Sequence, residues 1–285
     1  MEALQRGWNK NLAYLFNNAK SELTISSPYI SDVGADLLIN SVSNNFKEKG
    51  LLRFITDLSP KNIYQGVTNP FSFDKFFKKI NLVQIFHLPK LHAKVYIQDN
   101  KNAIVTSGNL TAGGLFNNFE YGIFTDDSNF VSYIKNDLTD YGNLGALVSH
   151  IDIQNYCNLS DKVNEIYLKK EKSFNKEDEE QFNKAIEQAN DELIKIKLAG
   201  GKIHPVFEKT ILYILNKYGA LDQDTINGYI QEIHPDLCDN DVDRVINGIV
   251  FGKKWKHAAR TAMQRLKRRE NVNLINGKWT LLKLT

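Results

Sequence analysis

The chain has 285 residues, of which 42% are hydrophobic, so it can form one large and one small domain with substantial cores. A formal net charge of +3 is too small to indicate a nucleic-acid partner by itself. Its two cysteines, Cys157 and Cys238, lie far apart without metal-ligand spacing. We therefore expect no disulfide framework, no metal site and no cofactor.

The first ten residues carry charges at Glu2, Arg6 and Lys10 and contain no apolar run, which argues against a signal peptide. No later segment reaches the length of a membrane span. We expect a cytoplasmic protein with no membrane partner.

The first half of the chain alternates strand-like and helix-like segments. Residues 33–49 have the length of a helix that Gly50 ends, and residues 99–102 are predicted to form a hairpin turn. Short apolar runs bounded by turn residues predict strands at 23–26, 51–55, 82–86, 91–97, 103–105 and 121–124. This order predicts an α/β domain, a mixed sheet flanked by helices, over residues 1–158.

A polar segment follows. Between residues 160 and 197 charged and amide side chains dominate, including the run from Lys176 to Glu180. We interpret residues 159–200 as a charged helical connector, with a hinge at Gly200-Gly201; a surface helix within one larger domain is the alternative.

Residues 201–285 have the pattern of a small C-terminal domain. Residues 206–218 and the segment from Asp222 to His234 predict two helices, and Asp239 or Asn240 is expected to cap a third. Residues 255–270 form a basic helix with one apolar stripe, and a hairpin with an Asn276-Gly277 turn follows. This order predicts a winged helix-turn-helix DNA-binding domain.

The side chains that could take part in a reaction are concentrated in residues 92–109. Alternation along a strand places His92, Lys94 and Tyr96 on one face, and Ser107 and Asn109 fall at the end of the next strand. If residues 99–102 close a hairpin, these side chains converge on one patch. Lys94 then supplies positive charge, and Ser107 and Asn109 supply hydrogen-bond donors, so the patch could bind a phosphate without a metal.

These residues resemble the signature of the phospholipase D superfamily, which is His-x-Lys, four residues, Asp, six residues and Gly-Ser-x-Asn. Every polar position matches, and Thr106 stands where the family has its usual glycine. Asp99 has its simplest role as a turn former. Thr111 and the Asn118-x-Glu120 group resemble the extension found in the nuclease branch. By that resemblance, Thr111 and Asn118 support the phosphate site and Glu120 holds the imidazole of His92.

The resemblance also implies a mechanism. His92 attacks phosphorus and forms a phosphohistidine, Lys94 and Asn109 neutralise the nonbridging oxygens, and a second histidine protonates the leaving oxygen. The sequence has one copy of the motif where full-length members have two. We therefore expect a homodimer in which two His92 side chains meet in a composite site. If the acid comes from the same chain, His87 and His150 are the first candidates.

The C-terminal charge points to the substrate. The segment from Lys253 to Thr285 contains ten basic residues and one acidic residue, Glu270. Such an excess of positive charge is expected where a protein contacts the phosphate backbone of a nucleic acid. We predict a metal-independent endonuclease acting on DNA, of a restriction or defence type. The alternatives are a lipid phosphodiesterase, a catalytically silent DNA-binding regulator, and, for the basic helix, a role in dimerisation. The predicted DNA-binding residues are Lys254, Lys256, Arg260, Gln264, Arg265, Lys267, Arg268 and Lys278.

Overall fold

The computed structural model describes residues 1–170, 176–199 and 201–282, apart from a few side chains near the gap after residue 170. The chain divides into two compact units, Met1–Ile196 and Lys197–Thr285. Residues 171–175 of the expected connector and Gly200 of the expected hinge lie outside the described residues. The division at residues 158 and 200 stays a prediction.

The first unit is built on an eight-stranded mixed sheet with the order β1-β7-β6-β5-β2-β3-β4-β8. Strands β2, β3 and β4 are parallel, and all other neighbours are antiparallel. The strands are β1 (Glu2–Leu4), β2 (Glu22–Ser26), β3 (Leu51–Thr56), β4 (Leu82–His87), β5 (Val95–Gln98), β6 (Asn102–Thr106), β7 (Gly122–Thr125) and β8 (Ala146–Val148).

Helices flank this sheet, which confirms the predicted fold class. They are α1 (Asn9–Asn17), α2 (Asp32–Ser41), α3 (Asn44–Lys49), α4 (Pro60–Tyr64), α5 (Phe71–Lys79), α6 (Ser128–Leu144), α7 (His150–Lys170) and α8 (Lys176–Leu198). The main core contains large buried aromatic side chains, among them Phe16, Phe46, Phe54 and Phe76. Ala189 and Leu193 of α8 are buried in the same core.

The helix predicted over residues 33–49 is wrong as a single element. Val42 is extended, with φ −70° and ψ 144°, and separates α2 from α3. Ser43 begins α3 because its side chain accepts a 3.1 Å hydrogen bond from the main-chain N–H of Phe46. A serine is a common first residue of a helix, but Ser43 lay inside a segment whose length and Gly50 end predicted one continuous helix.

The strand predicted over residues 91–97 begins only at Val95. Its neighbour β2 ends at Ser26, which pairs with Val95, so residues 91–94 run past the edge of the sheet. The Ser26 hydroxyl donates a 3.0 Å hydrogen bond to the main-chain oxygen of Ala93. His92 and Lys94 are therefore placed by a loop, and the strand alternation expected for them is wrong.

The second unit has its own core. Its elements are α9 (His204–Tyr218), α10 (Gln223–Ile233), β9 (Asp243–Ile246), β10 (Ile249–Lys253), α11 (Lys254–Arg268), β11 (Val272–Ile275) and β12 (Lys278–Leu281). Phe207, Ile211, Ile226, Met263 and Trp279 are buried together. The hairpin β9–β10 precedes α11 in the sequence, and the hairpin β11–β12 follows it.

No helix is capped by Asp239 or Asn240, so the third predicted helix is wrong. Asn240 instead accepts a 2.9 Å hydrogen bond from the Trp255 indole. The hairpin β9–β10 follows, turning at Asn247-Gly248 with φ values of 49° and 79°. An Asn-Gly pair between apolar runs was the signal for this hairpin.

Candidate active site and nucleic-acid interface

The predicted catalytic residues lie at one edge of the large sheet. Strands β5 and β7 begin there and β6 ends there, with Val95 opposite Val105 and Thr106 opposite Gly122. Because β5 is antiparallel to β2, the carboxyl ends of β2, β3 and β4 lie at the same edge. This topology brings residues far apart in sequence to one place.

Lys94 is a buried, positively charged residue at this edge of the sheet. Its side chain folds back so that Nζ donates a 2.8 Å hydrogen bond to the main-chain oxygen of His92. Burial lowers the pKa of Lys94, and the negative charge of Glu120 opposes that shift. The ammonium therefore fixes the backbone of His92, while the imidazole of His92 is exposed at the surface.

Ser107, Asn118 and Glu120 form a hydrogen-bonded group. The Ser107 hydroxyl donates to the Glu120 carboxylate and accepts a 3.1 Å hydrogen bond from the Tyr121 N–H. The Asn118 amide donates to the other carboxylate oxygen at 3.2 Å. Three predicted residues are thus brought together, with Glu120 at their centre.

The contact expected between Glu120 and His92 is not formed in the described part of the chain. The partners of Glu120 are Ser107 and Asn118, and the hydrogen bonds of the described residues do not include the His92 imidazole. The physical reason is that His92 precedes β5, so alternation along that strand does not orient its side chain. Glu120 instead acts on Lys94 through its charge.

Asn109 and Thr111 shape the loop beyond Ser107. The Asn109 Oδ1 atom is buried without a hydrogen-bond partner among the described residues. The Thr111 hydroxyl accepts a 3.2 Å hydrogen bond from the N–H of Gly114, in the π-helical turn Gly113–Asn117. A Cβ on Gly114 would lie 2.5 Å from the main-chain oxygen of Asn109. This close approach restricts the position of the Asn109 backbone.

Trp8 and Tyr96 support the loop from the core, and sequence reasoning missed Trp8. The Tyr96 hydroxyl donates a 3.1 Å hydrogen bond to the main-chain oxygen of Gly108. A Cβ on Gly108 would lie 2.5 Å from the Trp8 ring, so the two are in tight contact. Trp8 lies 100 residues before Gly108, and nothing in its sequence neighbourhood indicates the contact.

Asp99 has a structural role that goes beyond the turn. It has a positive φ of 49°, and its carboxylate accepts main-chain hydrogen bonds from Lys20, Ser21 and Glu22 at 2.7–2.9 Å. Burial would raise the pKa of Asp99, but these bonds and one from Gln98 outweigh it and lower the pKa to about 2. Asp99 thereby fastens the β5–β6 turn to the start of β2.

The two other histidines considered as general acids are engaged elsewhere in the first unit. His87 is buried, and its Nδ1 accepts a 3.1 Å hydrogen bond from the Leu58 N–H. His150 lies 2.9 Å from the Asp74 carboxylate and stacks on Phe77 with ring centroids 4.8 Å apart. Both histidines thus have partners within the first unit.

The basic helix α11 presents a polar face. Lys256, Arg260, Gln264 and Lys267 are exposed, and their spacing of four, four and three residues places them on one side of the helix. The further predicted residues Lys254, Arg268 and Lys278 are also exposed, the last beside the Asn276-Gly277 turn.

Arg265 differs from the other predicted DNA-binding residues. Its Nε lies 2.8 Å from one carboxylate oxygen of the buried Glu208, and Arg269 lies 2.8 Å from the other. Glu208 belongs to α9, so this ion pair joins α9 to α11. Arg265 thus contributes to the packing of the second unit.

Within the described ranges, no group of three or more His, Cys, Asp or Glu side chains could hold a metal ion. Among the helices described, none is both long enough and apolar enough to cross a membrane.

Residues 12–141 match a family model described as cardiolipin synthase, PLD-like domain. The match includes the five predicted catalytic residues, and the mixed sheet flanked by helices agrees with it. This part of the chain therefore has a phospholipase D-like fold. The match ends well before the second unit.

Solved structures are similar to about half of the chain. Nuc from Salmonella typhimurium, a phospholipase D family member, has 14% sequence identity and a TM-score of 0.41, over 51% of this chain and 97% of that one. NucT from Helicobacter pylori has 18% identity and a TM-score of 0.37, over 49% and 96%. TrmBL2, an archaeal chromatin protein, has 14% identity and a TM-score of 0.35, over 51% and 53%. No protein of curated function matches the sequence.

Proposed function

We propose that the chain is a metal-independent endonuclease of a restriction or defence type that hydrolyses DNA phosphodiester bonds through a phosphohistidine on His92. The observation that carries the proposal is the convergence of His92, Lys94, Ser107, Asn109 and Glu120 at one sheet edge of a phospholipase D-like domain. These side chains supply a nucleophile, a buried cation and hydrogen-bonding groups for one phosphate.

The reaction has two steps. An imidazole nitrogen of His92 attacks phosphorus, the bond from phosphorus to the leaving oxygen breaks, and a second histidine gives that oxygen a proton. Water then attacks the phosphohistidine and gives a proton to the second histidine, and the phosphorus–nitrogen bond breaks to restore His92. The ammonium of Lys94 and the amide of Asn109 stabilise the charge on the nonbridging oxygens in both steps. The charge of Glu120 opposes the lowering of the Lys94 pKa by burial, and its carboxylate orients Ser107.

The second histidine is proposed to be His92 of a second copy. The sequence carries one His-x-Lys, and His87 and His150 are engaged in packing. A twofold axis through the site would give a homodimer one composite centre. Each copy would then supply one His92, one as nucleophile and one as acid.

The second unit is proposed to be a winged-helix domain that binds DNA. The support is the order of three helices and a final hairpin, together with the exposed face of Lys256, Arg260, Gln264 and Lys267. Helix α11 would enter the major groove as the recognition helix, and Lys278 at the hairpin tip would contact the backbone. The unit would position the phosphodiesterase on its substrate.

The test is cleavage of plasmid and single-stranded DNA in excess EDTA by the wild type, His92→Ala and the control variant His150→Gln. We expect the wild type and the control to cut and His92→Ala to bind DNA without cutting. A quenched wild-type reaction should contain a protein–DNA adduct that acid breaks and alkali does not. Loss of cleavage in EDTA, or cutting by His92→Ala, would contradict the mechanism.

A lipid phosphodiesterase is the second candidate, because the matching family model is described by a cardiolipin synthase. The same three proteins should be incubated with vesicles containing phosphatidylglycerol. Turnover of lipid without turnover of DNA would favour this candidate. Binding of DNA with no turnover of either substrate would favour the silent regulator.

A further inference from the structure

Two exposed aromatic rings flank Glu120, outside the catalytic group. Phe119 is 84% exposed and Tyr121 is 60% exposed. The Glu120 side chain between them turns toward Ser107, and in an extended chain alternate side chains point to opposite sides. Phe119 and Tyr121 therefore share a side of the segment that leads into β7, next to the proposed phosphate site.

A cation accompanies the outer ring. The guanidinium carbon of Arg6 lies 4.9 Å from the centroid of the Phe119 ring. Arg6 is exposed, and the ion pairs of the described residues give it no carboxylate partner. The short segment after β1 brings it there, because β1 pairs with β7.

We propose that Phe119, Tyr121 and Arg6 form a platform that binds an unpaired nucleobase next to the scissile phosphate. The inference rests on the proposed nuclease function and specifies its substrate class as single-stranded or locally unpaired nucleic acid. A flat exposed ring stacks on any base, and arginine adds attraction to the rings and the phosphates. A base inside a duplex has both faces stacked already and cannot use the platform.

The charge on the platform favours nucleic acid over a second copy of the chain. A twofold contact through this patch would bring one patch against itself, so two Arg6 cations would approach each other with no carboxylate partner among the described residues. The nucleic-acid backbone instead supplies a negative charge with every base. A bound nucleic acid would then contact both the exposed rings and the Arg6 cation.

The test compares two oligonucleotides of one length, one with all its bases and one with abasic residues on both sides of the cleaved bond. For the wild type, kcat/KM should be higher on the oligonucleotide with bases. In Phe119→Ala that ratio should fall by about 5- to 100-fold, mainly through KM, since stacking on one ring is worth that much. Arg6→Gln should lower the same ratio less.

The matched control is Tyr133→Ala, which removes a 65% exposed aromatic ring on α6 and should keep the wild-type ratio. If Phe119→Ala cuts the two oligonucleotides with the wild-type ratio, the platform is overturned while the nuclease function stands. If Phe119→Ala changes the dimer mass measured by light scattering, the patch is a contact between copies and the inference is wrong. Absence of nucleic-acid cleavage by the wild type would overturn both proposals.

Discussion

The indole Nε1 of Trp8 donates a 2.7 Å hydrogen bond to the main-chain oxygen of Gly114, across 106 residues of sequence. The Trp8 ring also lies 5.6 Å from the ring of Tyr96 and contacts Gly108. The segment before α1 is thus tied to both sides of Asn109. Placement of the candidate phosphate-binding loop depends on a residue outside the motif.

Trp8→Phe should destabilise the protein and reduce its activity. The substitution leaves the buried Gly114 oxygen without its donor, which costs about 1–3 kcal/mol. Urea unfolding measures the loss, and Tyr14→Phe on the neighbouring helix α1, at a 64% exposed position, is the control. A Trp8→Phe protein as stable as the control would show that the hydrogen bond contributes nothing.

Asp99→Asn should weaken the fold at neutral pH and lose most of that effect in acid. The folded pKa of Asp99 is about 2, below its usual 3.8, so the ionised carboxylate stabilises the fold above the higher value. That stabilisation is lost as the pH falls from about 3.8 through about 2. Urea midpoints of the wild type and Asp99→Asn should differ at neutral pH and converge in this window. The exposed Asp191→Asn is the control, and a constant difference would contradict the role of Asp99.

Glu120→Gln should move the alkaline limb of the pH–activity profile to lower pH. Burial lowers the pKa of Lys94, and Glu120 opposes that shift; without its charge the ammonium loses its proton more easily. The measurement is kcat/KM for bis(p-nitrophenyl) phosphate from about pH 7 to about 10.5. Glu187→Gln, on the exposed surface of α8, should keep the wild-type profile. If the alkaline limb of the Glu120→Gln profile coincides with that of the wild type, the charge of Glu120 has no effect on the ionisation of Lys94.

Arg260→Ala and Arg265→Ala should have different effects although both lie on α11. Arg260 is exposed, so its loss should reduce the log–log salt slope of DNA binding by about 0.9 and leave stability unchanged. Arg265 pairs with the buried Glu208, so its loss should lower the melting temperature of the second unit. Binding is measured by anisotropy in a His92→Ala background. If Arg265→Ala instead reduces the salt slope of DNA binding and leaves the melting temperature unchanged, Arg265 contacts the DNA.

A heterodimer of one wild-type and one His92→Ala chain should be almost inactive. A composite centre needs both histidines, whereas two independent sites would retain about half of the activity. Two different affinity tags allow purification of the mixed dimer, and a tagged wild-type dimer is the control. Cutting of a duplex at a locally unpaired site should also pass through a nicked intermediate, because one centre holds one phosphate at a time. Half activity would mean that the acid comes from the same chain.

The sequence was informative where local pattern decides the structure. Apolar runs located β2, β3 and β4, and the fixed spacing from His92 to Asn109 located the candidate site. The start of β5 could not be predicted, because it depends on where β2 ends at Ser26. The partners of Glu120 and the place of Trp8 were hidden for the same reason, since both depend on contacts between distant segments.

The hydrogen bond from Glu22 to Asp99 closes a loop of 77 residues. Closing a chain of that length costs about 4 kcal/mol of entropy, which must be offset by β2, β5 and the Asp99 turn forming together. The candidate site lies at the opposite edge of those same strands, so it forms only when the sheet has closed. A nascent chain still on the ribosome cannot assemble this edge until β7 has been synthesised.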